Sequence, residues 1–264
     1  MIIHSHRMRG MACLALIAWS QSGNLQAGTI SYLRFEEGSG FIAADQTGLM
    51  NGELMEFNEF TGWSTDVPGA TIPLTGQQNI HSLYYGPGFV DLSNANDVYL
   101  GYSFTLEFFF KAEEPVISSL FFSFEGGSSM AASISSPQPD ILFGLSFLGT
   151  LDIISASNVS YNTWQHFALV KQPGGYQTYI DGVLIADETL PSDTDGPFSF
   201  AGTALTGDRT IGGDDGTFCG WIDEFRISDT ALTPDQFLCS IPEPSTLGLL
   251  LFGAAGLVWR KRRK

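Results

Sequence analysis

The sequence predicts an all-β domain built from two packed antiparallel sheets. Apolar runs of strand length, several of them alternating with polar residues, recur along the body of the chain between turns rich in Gly and Asp. Asp181-Gly182 joins two such runs and is a strong signal for a two-residue hairpin. No long segment of the body has the helical period of about 3.6 residues. With 264 residues, 44% of them hydrophobic, the chain is long enough for one such domain.

Residues 1–27 predict a secretory signal peptide. Two arginines precede the apolar run 11–19, and a polar stretch then ends at Ala27. Cleavage after Ala27 removes Cys13 and leaves 28–240 as the mature domain.

Strand-length runs follow in order through this domain. The first is predicted at 29–35 and the clearest at 104–110, where the apolar side chains at even positions share one face. Residues 50–80 have little pattern and predict a long loop with at most a short strand. Further apolar runs of strand length lie at 89–92, 98–100, 117–124, 141–148, 164–171, 176–180 and 183–186. The last three, joined by short turns, predict an antiparallel meander.

Residues 220–227 predict the strand that closes a sheet. Strict alternation places Trp221, Asp223, Phe225 and Ile227 on one face, and Ile222, Glu224 and Arg226 on the other. One face is then apolar with a single carboxylate set into it. Thr233-Pro234 can begin a short helical turn beyond the strand.

Four stretches in this order resemble the laminin-G-like, concanavalin A-like jelly rolls. They are FEEGSGFIAADQTG at 35–48, FTLEFFFKA at 104–112, WQHFALVKQPGGYQTYIDGVLIAD at 164–187 and GGDDGTFCGWIDEFRISDTALTPDQF at 212–237. The resemblance frames residues 29–240 or so and implies a two-sheet jelly-roll sandwich.

The charge of the body narrows the range of partners. Outside the leader and the tail, five Lys and Arg residues stand against 27 of the 28 acids, a formal charge of −22. Such a surface repels phosphates, so we expect no nucleic-acid binding. It suits divalent cations or basic partners, and it also simply keeps an exported protein soluble.

Two residues, Glu37 and Asp223, are candidate ligands for a structural calcium ion. Asp223 lies on a predicted apolar face, where an unpaired carboxylate is costly, and Glu37 ends the face of the first strand. Calcium binds carboxylate and carbonyl oxygens, and related jelly rolls often hold it between the first and last strands. We therefore expect Glu37 and Asp223 to share Ca²⁺. The alternative is that they accept bonds from backbone amides or face solvent at a bulge.

A disulfide between Cys219 and Cys239 is expected once the leader is removed. The two residues flank the closing strand and its turn, and an even number of cysteines in an oxidising compartment suggests pairing. Laminin-G domains often carry a disulfide here, although Cys219 lies two residues earlier than their cysteine. The alternative is a pair of buried thiols.

Catalytic signatures are few, and we predict no catalytic residue. The body has only His81 and His166, and His166 fits a buried structural role in its strand. There is no H-E-x-x-H or G-x-S-x-G motif, nor the E-x-D-x-E-like strand of jelly-roll glycosidases. We expect a non-catalytic protein, although two carboxylates of a hydrolase could still meet from distant strands.

Sugar binding requires exposed aromatic faces beside polar groups. The aromatic residues in or beside predicted loops are Trp63, Tyr84, Tyr85, Tyr102 and Tyr161. Because aromatics in such places also pack beneath loops, the sequence leaves the ligand-binding residues unassigned.

The tail, residues 241–264, has three parts. Pro242-Glu243-Pro244 is followed by an uncharged apolar run and five basic residues. The run is short for a bilayer, which needs about 20 residues, but a transmembrane helix at about 244–261 comes near the minimum length if its basic end snorkels. The tail resembles the PEP-CTERM sorting signal, which implies membrane insertion followed by processing by an exosortase-type enzyme. A plain membrane anchor is the alternative.

Together these features predict an exported protein of the cell envelope or extracellular matrix. Its leading function is non-catalytic, lectin-like binding of extracellular polysaccharide or a surface protein. The alternatives are a structural matrix or adhesion protein without a saccharide site and, less favoured, a glycan-active hydrolase.

Overall fold

The computed structural model describes residues 28–56, 62–86, 88–92, 98–113, 118–124, 128–135, 140–147, 150–156, 159–190, 195–200, 209–211 and 218–241. The strands in these ranges are β1 (Thr29–Leu33), β2 (Ile42–Ala43), β3 (Gly52–Met55), β4 (Gly62–Ser64), β5 (Ser82–Tyr85), β6 (Phe89–Asp91), β7 (Val98–Gly101), β8 (Phe104–Ala112), β9 (Ser118–Phe124), β10 (Ser128–Ser135), β11 (Asp140–Phe147), β12 (Thr150–Ala156), β13 (Gln165–Gln172), β14 (Gly175–Ile180), β15 (Val183–Thr189), β16 (Phe198–Phe200), β17 (Arg209–Ile211) and β18 (Gly220–Ser228). A single 3₁₀ turn, Pro234–Gln236, follows them within the described residues.

The strands form two eight-stranded antiparallel sheets and a small ribbon. The first sheet has the order β15-β14-β13-β8-β18-β5-β4, with β1 also paired to β18. The second has the order β12-β11-β10-β9-β17-β6-β3-β2, and β16 pairs with β7. One large apolar cluster contains residues of both sheets, such as Leu106 of the first and Val90 of the second. The predicted all-β, two-sheet architecture is therefore confirmed.

Strand β8 lies at the centre of the first sheet and follows the predicted alternation. Phe104, Leu106, Phe108 and Phe110 are buried in the large core. The intervening side chains lie on the outer face of the sheet. Its neighbours are β13 and β18, both antiparallel to it.

Strand β18 contains a bulge that breaks the predicted alternation. Asp223 pairs with Phe109 of β8 and Arg226 pairs with Glu107, so β18 has one residue more than β8 in this interval. Glu224 lies in the bulge with a φ of 54°. One extra residue reverses the side to which all later side chains point.

The bulge changes which side chains of β18 reach the core. Ile222, Phe225 and Ile227 all belong to the large apolar cluster. Trp221 and Asp223 instead contact polar groups on the outer face of the sheet. The prediction that Trp221 and Asp223 share a face with Phe225 and Ile227 is therefore wrong, because it assumed unbroken alternation.

The outer face of the first sheet is covered by two irregular segments. Residues 229–241, which we call the C-terminal clasp, place Leu232 and Phe237 against Tyr179. Loop 65–81 adds Ile72 to a second small cluster. Part of the predicted 50–80 loop is instead built into the sheets as β3 and β4.

No helix among the described residues is both long and apolar enough to cross a membrane. The predicted signal peptide at 1–27 and transmembrane helix at 244–261 lie outside the described residues.

Gly220 begins β18 at a point where no side chain fits. Its φ is 145°, and a Cβ atom there would lie 2.2 Å from the carbonyl oxygen of Lys111. We expect Gly220→Ala to lower the free energy of unfolding by about 3 kcal/mol or more. Gly40→Ala is the control, since Gly40 also has a positive φ but its Cβ would meet nothing within 4 Å. The Gly40→Ala substitution should lower the free energy of unfolding, measured with urea, by only about 1 kcal/mol. Equal losses for Gly220→Ala and Gly40→Ala would contradict the predicted clash.

Candidate functional site

Four side chains form a row across adjacent strands at one end of the first sheet. Tyr84 of β5 pairs with Trp221 of β18, and Trp221 pairs on its other side with Lys111 of β8. Trp164 directly precedes β13, which continues the register beyond Lys111. We call Tyr84, Trp221, Lys111 and Trp164 the aromatic row. All four side chains are half-buried on the outer face.

Contacts within the aromatic row hold its rings in place. The rings of Tyr84 and Trp221 are 4.7 Å apart between centroids, and Lys111 Nζ lies 4.5 Å from the Trp221 ring centroid. Trp221 Nε1 donates to Ser64 Oγ at 3.0 Å. A cation over a Trp face contributes about 0.5–2 kcal/mol. The row is therefore an ordered aromatic surface before any ligand arrives.

Two carboxylates border the row. Asp66 accepts hydrogen bonds from Lys111 Nζ at 2.6 Å and Trp164 Nε1 at 2.8 Å, and its side chain is 38% exposed. Burial favours a higher pKa for Asp66, but the bonds from Lys111 and Trp164 outweigh it and lower the pKa. Glu113 accepts a bond from the Tyr84 hydroxyl at 2.8 Å. Burial and then Glu113 raise the pKa of Tyr84 to about 12, so Tyr84 keeps its proton.

The five aromatic candidates from the sequence have different environments. Tyr85 is buried in the core, and Trp63 and Tyr161 pack against it. Tyr84 belongs to the aromatic row, and Tyr102 is 49% exposed away from it.

The other members of the row could not be recognised from the sequence pattern. Strict alternation places Trp221 on the core face, and the pattern marks Trp164 and Lys111 only as parts of strands. Asp66 lies in a stretch without a pattern, so no local signal pointed to it. If a one-residue bulge in β18 is assumed, the sequence pattern places Trp221 correctly. Ile222 then lies on the core face with Phe225, and Trp221 lies on the opposite face.

A second polar cluster surrounds the β18 bulge. Asp223 is fully buried; its Oδ2 accepts a bond from Asn79 Nδ2 at 2.8 Å, and its Oδ1 has no hydrogen-bond partner. Burial and then Glu224 raise the pKa of Asp223 well above its ordinary value. Glu224 accepts bonds from Arg34 and from the Tyr32 hydroxyl. Burial raises the pKa of Glu224 to about 7, although Arg34 opposes the shift.

Glu37 is half-buried and has one carboxylate oxygen without a hydrogen-bond partner. Its Oε1 accepts a bond from the Ala44 amide at 3.1 Å, and its Oε2 is buried without a hydrogen-bond partner. The neighbouring Glu36 accepts the Ile80 amide and contributes to the raised pKa of Asp223. No set of three His, Cys, Asp or Glu side chains in the described ranges has the arrangement of a metal site. Calcium binding by Glu37 and Asp223 stays a prediction.

A third cluster joins β8, β13 and β18 beneath the C-terminal clasp. Glu107 Oε1 accepts a bond from Arg226 Nε at 2.8 Å, and Glu107 Oε2 lies 2.8 Å from His166 Nε2. Burial lowers the pKa of His166, but Cys239 and Glu107 outweigh this effect and raise it to about 9. His166 is thus a fully buried, hydrogen-bonded structural residue, as its strand position predicted.

Both predicted disulfide partners are free thiols in the structure. Cys219 is exposed just before β18, whereas Cys239 packs with Phe109 and Leu238 under the C-terminal clasp. The structure therefore gives the predicted disulfide no support.

The protonated state of His166 should make stability depend on pH. Its folded pKa of about 9 lies above the ordinary value of 6.5. The stabilisation is therefore complete below about pH 6.5 and is lost as the pH rises through about 9. We expect the free energy of unfolding to fall by up to about 3 kcal/mol over this range. His166→Gln should flatten the profile in urea unfolding, and an equally steep profile for the variant would contradict this assignment.

Family comparisons match two parts of the chain. Residues 86–237 match the family described as the concanavalin A-like lectin/glucanases superfamily. Residues 240–263 match the PEP-CTERM protein-sorting motif, which includes Pro242, Glu243 and Pro244 outside the described residues. No curated protein matches the chain.

Solved structures share the fold at low sequence identity. Domain 4 of AbnA, a GH43 extracellular arabinanase from Geobacillus stearothermophilus solved with arabinotriose, has a TM-score of 0.54 and 16% identity, and the match covers 79% of this chain and 95% of that one. The binding domain of Paraclostridial Mosquitocidal Protein 1 has a TM-score of 0.54 and 15% identity, with 79% and 50% covered. A Trypanosoma rangeli sialidase mutant has a TM-score of 0.53 and 14% identity, with 81% and 32% covered. The fold thus occurs both in binding domains and in proteins with enzymatic activity.

Proposed function

The chain belongs to the concanavalin A-like lectin/glucanases superfamily and carries a PEP-CTERM sorting motif, and from this premise we propose that it is an exported, non-catalytic module that binds extracellular polysaccharide. The sorting motif implies export and processing by an exosortase-type enzyme at the membrane. The binding module then acts in the cell envelope or the extracellular matrix.

The aromatic row is the observation that carries this proposal. A sugar ring stacks its apolar C–H face on an aromatic side chain while its hydroxyls donate to nearby acceptors. Tyr84, Trp221 and Trp164 offer partly exposed rings, and Asp66 and Glu113 offer carboxylates at the border. Because the rings are already held by their neighbours, little side-chain freedom is lost on binding.

The charge of the body favours a neutral polysaccharide over an acidic one. A body with a formal charge of −22 repels uronate, sulfate and phosphate groups. Lys111, the one cation of the row, is already paired with Asp66. The AbnA domain, which has a similar fold, was solved in complex with arabinotriose, and this supports a saccharide as the ligand.

A structural matrix or adhesion role is the second candidate. The rings of the aromatic row contact one another and Lys111, so they also suit a simple cover for the outer face of the sheet. Under this alternative the protein binds no glycan.

Binding to neutral glycans tests the leading proposal. We expect the mature protein to bind members of a neutral glycan array, and Trp221→Ala to weaken the affinity by about tenfold or more through lost stacking. Asp66→Asn should weaken it while leaving the rings in place. Tyr102→Ala, outside the row, is the control.

Each other result of this experiment points to a different function. An array without any signal, with and without calcium, favours the structural role. Release of reducing sugar from a bound glycan indicates a hydrolase.

We further propose that Glu37 and Asp223 help to hold a structural Ca²⁺. Glu37 Oε2, Asp223 Oδ1 and Asn79 Oδ1 are buried oxygens without hydrogen-bond partners, which fits a cation that binds only oxygen. A bound Ca²⁺ would supply positive charge that favours the ionised form of Asp223, whose pKa burial otherwise raises.

Calcium should therefore raise the melting temperature of the chelator-treated protein. We expect a rise of several degrees at saturating Ca²⁺, about what 1–3 kcal/mol of linked binding gives. Asp223→Asn should abolish the rise, and Asp66→Asn should leave it unchanged. A wild-type melting curve that does not respond to calcium would falsify the proposed site.

A further inference from the structure

The imidazole ring of His166 lies between two aromatic side chains beneath the C-terminal clasp. Its centroid is 4.9 Å from that of the Phe109 ring and 5.8 Å from that of the Phe237 ring. Cys239, which is half-buried, packs against both of the small apolar clusters that contain these two rings. The thiol of Cys239 and the imidazole of His166 therefore belong to the same packed region on the outer face of the sheet.

The turn between β14 and β15 joins the same two residues from another side. The Asp181 amide donates to the His166 carbonyl oxygen, and Asp181 Oδ1 accepts the His166 amide, both at 2.8 Å. At the next position, a Cβ atom added to Gly182 would lie 4.0 Å from Cys239 Sγ. Apart from the two chain neighbours of Gly182, that Cβ would meet no other atom of the described residues within 4 Å. The sulfur thus borders open space at the turn.

The two ring nitrogens of His166 have different surroundings. Nε2 lies 2.8 Å from Glu107 Oε2, whereas Nδ1 is buried and makes no hydrogen bond of normal geometry with the described residues. Burial lowers the pKa of His166, but Cys239 and then Glu107 outweigh this effect and raise the pKa to about 9. Since Glu107 is bonded to Nε2, the interaction with Cys239 falls on Nδ1. At neutral pH the ring is an imidazolium with its Nδ1 proton on the side of the sulfur.

This arrangement favours a reactive form of the thiol. A positive charge beside a thiol stabilises the thiolate, and the thiolate is the nucleophile in cysteine chemistry. The effect is mutual, because an interaction that holds the proton on His166 also stabilises a negative charge on Cys239. Glu107 shares its charge with Arg226, whose Nε donates to Oε1 at 2.8 Å, so a second negative group beside the ring is favourable.

Cys219 provides a comparison within the same chain. The residue is exposed, but partial burial of its sulfur and then the charge of Glu113 raise its pKa. The more exposed of the two thiols therefore has the less favourable electrostatic surroundings. Exposure and electrostatics predict opposite orders of reactivity for Cys219 and Cys239, so one experiment can separate them.

We propose that Cys239 is a covalent modification site for low-molecular-weight disulfides, with His166 as the group that stabilises its thiolate. The thiol proton is held on His166 Nδ1, and the Cys239 sulfur attacks one sulfur of the small disulfide. A new S–S bond forms as the old one breaks, and the second sulfur leaves as a thiolate with the bonding electrons and takes a proton from water. The small disulfide is the oxidant, so Cys239 is oxidised while one half of the reagent is reduced to a thiol.

This reaction gives Cys239 a different fate from the disulfide that the sequence predicts. An exported protein meets an oxidising environment, where small disulfides persist. Once Cys239 carries such a group, its sulfur is no longer available for pairing with Cys219. The modification does not depend on glycan binding.

Proteins with a single thiol test the proposal. Each variant is the full chain with Cys13→Ser, so that Cys219→Ser leaves only Cys239 and Cys239→Ser leaves only Cys219. The probe is dithiodipyridine, a small uncharged disulfide whose thione product is followed by its absorbance. At neutral pH we expect Cys239 to react about tenfold faster than Cys219, although it is the less exposed thiol. Equal rates, or a faster reaction at Cys219, would overturn the proposal.

Two controls show whether the folded site causes the difference. In urea at the same pH, the two single-thiol proteins should react at similar rates, and a difference that persists there would also overturn the proposal. In the folded protein, His166→Gln should slow the reaction of Cys239 about tenfold and leave that of Cys219 unchanged. A ring that only packs beneath the clasp predicts the opposite result, because its loss would expose Cys239 and speed the reaction. An unchanged or faster reaction of Cys239 in His166→Gln therefore contradicts the assigned role of His166.

Discussion

The bulge at Glu224 is the constraint on which the rest of this structure depends. By adding one residue to β18 between its pairs with Phe109 and Glu107, it lets both halves of the strand bury apolar side chains in the same core. It also turns Asp223 toward the outer face, where the side chain is buried next to Asn79. The aromatic row and the buried carboxylate cluster both follow from this one insertion.

The sequence predicts regular parts of the fold well because alternation and turns are local signals. In β8, Phe104 to Phe110 alternate without interruption, and the hairpin at Asp181-Gly182 forms as its turn residues require. In β18 the same rule fails, since nothing in the local pattern marks Glu224 as the residue with a positive φ. The bulge is visible only in the pairing of β18 with β8, a strand that lies more than 100 residues earlier in the chain.

The candidate site is less predictable than the fold because it depends on contacts between distant segments. Asp66 meets Lys111 and Trp164 across 45 and 98 residues. The register of three strands decides that Trp221 lies between Tyr84 and Lys111. No spacing within one stretch of sequence carries that information, whereas the sorting motif is contiguous and could be recognised directly.

Four of the five cations of the body are paired with carboxylates, which strengthens the expectation that the body does not bind anionic ligands. Arg34 pairs with Glu224, Lys111 with Asp66, Lys171 with Asp195 and Arg226 with Glu107. These four side chains serve the fold, so none of them is available as a free positive charge for a phosphate or uronate. The acids outnumber these cations by far and give the body a strongly negative field. Under the proposed function, recognition by such a surface depends on aromatic stacking and on carboxylates that accept hydroxyl donors, and both of these favour a neutral sugar.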